Sequence, residues 1–316
     1  MIITAELVAQ AGQMGLVTQR EIGAGLVGVR ELDGDRLLTV TVHSHPVAYV
    51  RREPTSCASS GGVLDRERAV LSAVRDTDCV PQVLAGSPEE SLWLSVLDGA
   101  ELSEQRRNMA EYAEICQAWG ATLGRLHTLP VRFSGRWTAP RPEVLETRQL
   151  ARTVRTAGAR SAYAAVFETF QASQPLRAAA VEVAERWTAR HWIHGNLTPA
   201  HVLVTDRPAL RIGFVDLAEA GLGDPAWDLA SAVEVIAGLS RNWHTSAVAL
   251  VEYFMQGYRH AAGPARLYPA VQALRALTIA WQLAGDPSPD RDELSFWLDR
   301  ARQHGARAAE RVYLAA

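Results

Sequence analysis

The chain contains no lysine; all 32 of its Lys and Arg positions are arginine. Any phosphate contact made by a permanent cation therefore falls to a planar guanidinium, which is not a geometric copy of an ammonium group. Cysteine is nearly absent. Cys57, Cys79 and Cys116 are odd in number, widely spaced and without a CxxC pair. That excludes a disulfide framework, fits small buried hydrophobes in a reducing compartment, and points to the cytoplasm. Net charge is only −3, so nothing favours nucleic acid or an anionic membrane as partner. No apolar run approaches the roughly 18 residues needed to span a bilayer. The start, MIITAELVAQAGQMG, lacks a basic segment followed by an apolar run, so no signal peptide is expected. Internal repeats and low-complexity tracts are also missing. What remains is 316 residues, 48% hydrophobic and 21% charged, enough for two packed lobes around a buried core.

Residues 1–15 read as a short amphipathic lead-in. From 16 to about 50 the pattern is strand-like: LVTQREI, LVGVREL, RLLTVTV and PVAYVRR, with Asp33-Gly34-Asp35 as a hairpin turn. Gly23, Gly25 and Gly28 spell GxGxxG between the first two runs. A dinucleotide fingerprint needs a helix next, but a β-like run follows. A glycine loop folding over nucleotide phosphates from between two strands fits better, beside the plainer reading of a glycine hairpin. A loop, SCASSGG, occupies 56–62. Residues 63–74 carry a helical apolar face. Residues 80–97 read as two short strands, the second running into a connector at Ser95 and Leu97. Beyond 98 the periodicity is helical: one face runs through Met109, Tyr112, Ile115, Trp119, Leu123 and Leu126, with further segments at 143–157, 159–172, 175–190 and after 228. His127, in the Leu-His close of the first of these helices, reads as structural. A β-rich first 97 residues followed by a helical 98–316 predicts an α+β, two-lobed layout.

The stretch 194–228, HGNLTPAHVLVTDRPALRIGFVDLAEAGLGDPAWDLA, carries the chemistry. It reads as a polar loop, a strand, a turn, a second strand ending on Asp216, and a Gly-Asp-Pro step into a helix. An acid at a strand end and a loop with two polar side chains suit a metal-phosphate site. His194-Gly195, Leu203-Val204, Asp216 and Gly223-Asp224-Pro225-Ala226-Trp227-Asp228, at the spacing 194/196/201/216, resemble the catalytic segment of the aminoglycoside phosphotransferase/choline kinase family. The resemblance implies a protein-kinase-like fold that uses ATP or GTP with Mg²⁺. It implies that Glu67 on the 63–74 helix pairs with a strand-borne cation, Arg52 by register with Arg51 second, where the family has lysine. It also implies that Ser95 and Leu97 meet the nucleotide base. Asp224 and Asp228 are expected to brace the loop and cap the following helix.

Two substitutions break the motif. Asn196 stands where the family's base aspartate belongs, and an amide cannot take a proton from a substrate hydroxyl at neutral pH. Loss of a general base typically costs about 10²–10⁴-fold in rate. His201 stands where a metal-binding asparagine belongs, and imidazole suits softer metals than Mg²⁺. Asp216 is thus expected to be the surviving metal ligand, with His201 a doubtful second and Mg²⁺ weakly held. The expectation is a pseudokinase that binds nucleotide, peptide or a partner protein. One form of it works with a lyase on a precursor peptide in bacterial natural-product biosynthesis. The alternative is an active, atypical phosphotransferase acting on a small-molecule hydroxyl or a peptide Ser/Thr. The acidic residues Asp286, Asp290, Asp292, Glu293 and Asp299 read as a solvated face, although an aminoglycoside-type substrate would want an acidic cleft.

Overall fold

The computed structural model describes residues 2–33, 37–52, 62–84, 90–131, 137–158, 160–206 and 209–315. Gly34 and Asp35 of the expected turn, 56–61 of the loop with Cys57, and the Gly-Ser-Pro at 86–88 lie outside these residues. The chain runs α1 (Ile2–Gln13), α2 (Gln19–Gly23), β1 (Val27–Asp33), β2 (Leu37–Val42), β3 (His45–Arg52), α3 (Val63–Ala73), β4 (Ser91–Leu94) and β5 (Ala100–Glu101). It continues as α4 (Met109–Thr128), α5 (Thr147–Ala157), α6 (Ala162–Ala172), α7 (Gln174–Arg186), β6 (His191–Ile193), β7 (Val202–Thr205), β8 (Arg211–Phe214) and β9 (Gly221–Gly223). The helices α8 (Pro225–Trp243), α9 (Ala247–Ala262), α10 (Pro269–Leu283) and α11 (Arg291–Ala315) follow. The result is the expected α+β class, β-rich at the N-terminus and mainly helical afterwards.

Two compact units emerge. The first takes the chain to Gln105 together with Ala200–Ala220. Its sheet has the order β1-β2-β3-β4, antiparallel throughout. Alternating residues make one face apolar. Leu38, Val40, Ala48, Val50 and Trp93 pack with Leu7 and Ala11 of α1, as period-2 strands over an amphipathic helix should. Residues 43 and 44 join β2 to β3 in a two-residue turn with φ of 50° and 66°. Positive φ at both positions matches the twist of a hairpin, but a His-Ser pair is not the Asn-Gly that usually announces it. A second, three-stranded sheet has the order β5-β7-β8.

The LVTQREI run is not a strand. Thr18 and Glu21 form a reciprocal capping box: the Glu21 N–H donates to Thr18 Oγ1 at 3.2 Å and the Thr18 N–H to Glu21 Oε2 at 2.7 Å. This Thr-x-x-Glu signature starts α2 and outweighs the β propensity of Val17 and Ile22. Residues 82–84 run beside β4 through single contacts, Val83 opposite Leu94 and Leu84 N–H to Trp93 O, so the first of the two strands expected in 80–97 is reduced to one bridge.

The second unit comprises Arg106–Val131, Thr138–Pro199 and Gly221–Ala316. Its core gathers Trp227, Phe170, Leu274, Trp281 and Trp297 from α6, α8, α10 and α11. A short antiparallel pair, β6 with β9, brings residues 191–193 beside 221–223. None of the described helices is long and apolar enough to cross a membrane.

Candidate functional site

In the first unit, β3, α3 and the end of β8 converge on one ionic cluster. Asp216 follows β8 with φ +59°, a left-handed conformation that disfavours residues other than glycine and tends to mark functional positions. Its Oδ1 meets Arg51 Nη2 at 2.7 Å, and its Oδ2 meets His201 Nε2 at 3.3 Å. Arg51 Nε also faces Glu67 Oε2 at 3.2 Å. The helix α3 holds the segment after Asp216 from two sides: Glu67 accepts from the Leu217 N–H, and Arg66 Nη2 donates to Ala218 O at 2.6 Å.

Glu67 therefore has its cation, but it is Arg51 and not Arg52. Side chains alternate along a strand. Arg52 shares the parity of Ala48 and Val50, which face the α1 side, whereas Arg51 lies on the other face with Glu67. A register error of one residue inverts such an assignment.

Glu67 is 1% exposed. Burial pushes its carboxyl up to about 7; Arg51 opposes the shift and Asp216 adds to it. A carboxyl raised above its unfolded value contributes stability that is full below about pH 4.5 and lost as pH rises through about 7. The swing is on the order of 3 kcal/mol. Wild type is therefore expected to lose stability relative to Glu67→Gln between pH 5 and pH 8, measured by urea unfolding at each pH. Parallel pH profiles would mean that Arg51 keeps Glu67 ionised throughout.

The glycines stand elsewhere. Gly23 ends α2, Gly25 takes φ +68° in the link, and Gly28 lies in β1 opposite Thr41. The expected strand–glycine loop–strand is absent because the segment before the loop is helical. Ser95 spends its N–H on Gln82 O at 2.8 Å and accepts the Gln82 N–H on its hydroxyl at 2.9 Å, so it offers no backbone donor to a base. Leu97 is half-buried against Gly213.

In the second unit the His-Gly-Asn loop is fixed from below. Asp228, fully buried on the first turn of α8, accepts the His194 N–H at 2.7 Å and the Gly195 N–H at 3.0 Å. Trp227 Nε1 donates to Gly195 O at 2.8 Å, and Gly195 needs its φ of +83° to present both groups. His127 is buried. Its Nε2 sits 3.1 Å from Asp228 Oδ2 and its Nδ1 2.8 Å from the Tyr258 hydroxyl, a structural post as expected. Burial alone would raise the Asp228 carboxyl, but the hydrogen bond and charge of His127, with His194, hold it below its ordinary value. Asp224 caps α8 by accepting the Ala226 N–H at 2.9 Å. Arg275 Nη2 donates to Leu197 O at 2.9 Å from α10.

Asn196 Oδ1 accepts from Gln282 Nε2 at 3.0 Å, a partner that no sequence pattern announced. Immediately beyond lies a cavity of about 580 Å³ lined by Leu197, Thr198, Pro199 and Gln282, by Arg241 and Arg275, and by Asp286, Asp290, Asp292 and Glu293. Four of the five acids expected on a solvated face are indeed exposed, and they also line this cavity. Asp299 instead pairs with Arg302 at 2.8 Å.

A Mg²⁺ ion wants hard oxygen donors in near-octahedral array. Here one Asp216 oxygen is in an ion pair with Arg51 and the other meets His201 Nε2, which offers nitrogen rather than oxygen. Among the described residues no group of three His, Cys, Asp or Glu could hold a metal ion. These residues do not fit the metal site that the resemblance implies.

A buried glutamate paired to a strand-borne cation, an acid closing a strand and a His-Gly loop braced by a helix-borne aspartate are the parts of a phosphoryl-transfer fold. The chain belongs to the phosphotransferase enzyme family, whose model matches residues 33–274. Its structure resembles the choline kinase from Cryptosporidium parvum Iowa II, with 13% identity, 97% of each chain covered and a TM-score of 0.66. It also resembles a microcompartment-associated aminopropanol kinase, with 21% identity, 97% of each chain and a TM-score of 0.57. A third is spectinomycin phosphotransferase APH(9)-Ia, solved with ADP and spectinomycin, with 11% identity, 90% of this chain and 93% of that one, and a TM-score of 0.55. At these identities the likeness establishes the fold. No curated protein matches the chain.

Proposed function

We propose that this protein keeps the phosphotransferase fold for binding and has lost efficient phosphoryl transfer. The observation that carries this reading is Asn196. The base position holds an amide, held by Gln282, which donates to its oxygen; an amide can accept a hydrogen bond from a substrate hydroxyl but cannot take up its proton at neutral pH. The ligand retained is a nucleotide, ATP or GTP, whose phosphates meet the Arg51 cluster. The working partner is a peptide or protein, in one form a lyase acting on a precursor peptide, which co-purification tests directly.

Transfer of labelled γ-phosphate from ATP and GTP to small-molecule and peptide acceptors is expected to be at background for the wild type. Asn196→Asp is expected to leave it there, because Asp216 remains tied to Arg51 and His201. Turnover by the wild type that disappears in Asp216→Ala would overturn the proposal.

A second reading draws on the cavity beside Asn196. Asp286, Asp290, Asp292 and Glu293 line it, which suits a cationic group on a small molecule. It predicts an active, atypical phosphotransferase in which Asn196→Asp raises the rate by about 10²-fold or more.

A further inference from the structure

Arg51 makes both strand-to-carboxylate ion pairs of the first unit's cluster. Its Nε meets Glu67 and its Nη2 meets Asp216, at 3.2 and 2.7 Å. His201 covers the other Asp216 oxygen at 3.3 Å. In the phosphotransferase scheme the strand-borne cation contacts phosphate while the acid at the strand end holds a divalent ion. Here the cation itself sits on that acid. A guanidinium stays charged across the working pH range and offers five N–H donors in a fork. The two pairs engage two of its three nitrogens, which leaves the geometry for an oxyanion at the third. Asp216 takes a left-handed φ, a conformation aspartate tolerates better than most residues, and Arg51 and His201 flank its carboxylate.

We propose that Arg51 supplies at Asp216 the positive charge that a divalent ion would otherwise bring, making this a metal-independent site for the phosphate oxygens of a nucleotide. The nucleotide half of this inference rests on the reading above; the Arg51–Asp216 half does not.

The test is thermal unfolding of the full chain in EDTA, MgCl₂ and MnCl₂, with and without ADP. Wild type is expected to melt at the same temperature in EDTA and in MgCl₂. Arg51→Met, which keeps the aliphatic stem and removes the charge, exposes two carboxylates to each other. It is expected to melt lower and to recover by roughly 3 °C or more when Mg²⁺ or Mn²⁺ is added. The double variant Arg51→Met/Asp216→Asn should show no recovery. ADP is expected to raise the wild-type melting temperature equally in EDTA and in MgCl₂. Stabilisation of the wild type by Mg²⁺ alone, an ADP shift that requires Mg²⁺, or an Arg51→Met protein indifferent to divalent ions would each overturn the assignment. Should Arg51→Met fail to fold, the wild-type responses decide. Silence toward ADP in every buffer sinks the nucleotide reading, while the metal responses still decide the role of Arg51.

Discussion

Gly120→Ala is expected to prevent the helical unit from closing, with little soluble folded protein recovered and a loss of at least about 3 kcal/mol in whatever folds. A Cβ built on Gly120 in α4 would stand 1.9 Å from the Phe254 carbonyl oxygen of α9. The contact is reciprocal: a Cβ on Gly257 in α9 would stand 2.0 Å from the Gln117 carbonyl oxygen of α4. Both obstacles are backbone, so no rotamer change relieves them and the helices must part. Parting them would also separate Trp119 from Phe254, whose rings meet edge to face at 5.2 Å. Gly124→Ala makes the graded control, since its added carbon would meet the Ala261 side chain at 2.9 Å, where a smaller shift suffices. Urea midpoints and soluble yield for Gly120→Ala, Gly257→Ala and Gly124→Ala are expected to show the first two far below the third. A Gly120→Ala protein within 1 kcal/mol of wild type would refute the close approach.

Asp228→Ala is expected to cost about 3–5 kcal/mol, because it strips a buried anion from partners that cannot reach water. The variant would leave the His194 and Gly195 N–H groups and His127 without the carboxylate that each now meets. A domain typically has about 5–15 kcal/mol in hand, so the variant should be marginal. Asp228→Asn, which keeps the shape and one acceptor oxygen, should lose less. The pH dependence follows the same group. Its folded value lies below its ordinary one, so its stabilisation is complete at neutral pH and is lost as pH falls through the folded value. The gap between wild type and Asp228→Ala should therefore be the same at pH 7 and pH 5 and shrink only as pH falls below about 3.8 toward the folded value. A gap that persists undiminished to the lowest pH at which both proteins fold would assign the effect to packing.

Much of this architecture was written in local pattern. Alternation marked β1 to β3, the 3.6-residue period marked α3 and α4, and Gly-Asp-Pro marked the start of α8, because each depends on neighbours a few residues away. The family frame was legible for the same reason: 194, 195, 216 and 224–228 lie within one short stretch. The Thr18–Glu21 capping box was also in plain view among β-prone neighbours, and it starts α2 where a strand was expected before the glycines.

Other features had no local signature. The His43-Ser44 turn adopts positive φ with residues that give no warning of it. Glu67 selects Arg51 over Arg52 because β3 presents one parity to α1 and the other to α3, a choice set by packing on both faces. Gln282 lies 86 residues from Asn196, and four acids near the C-terminus enter a cavity because α10 and α11 fold back beside the loop. By itself the sequence determined the class of fold, the helix and strand frame, and the loss of a carboxylate at Asn196, since these follow from residue type and short-range geometry. Which arginine sits on Asp216, what holds Asn196, and how closely α4 meets α9 were decided by tertiary structure, because each depends on register and contact between segments that are remote along the chain.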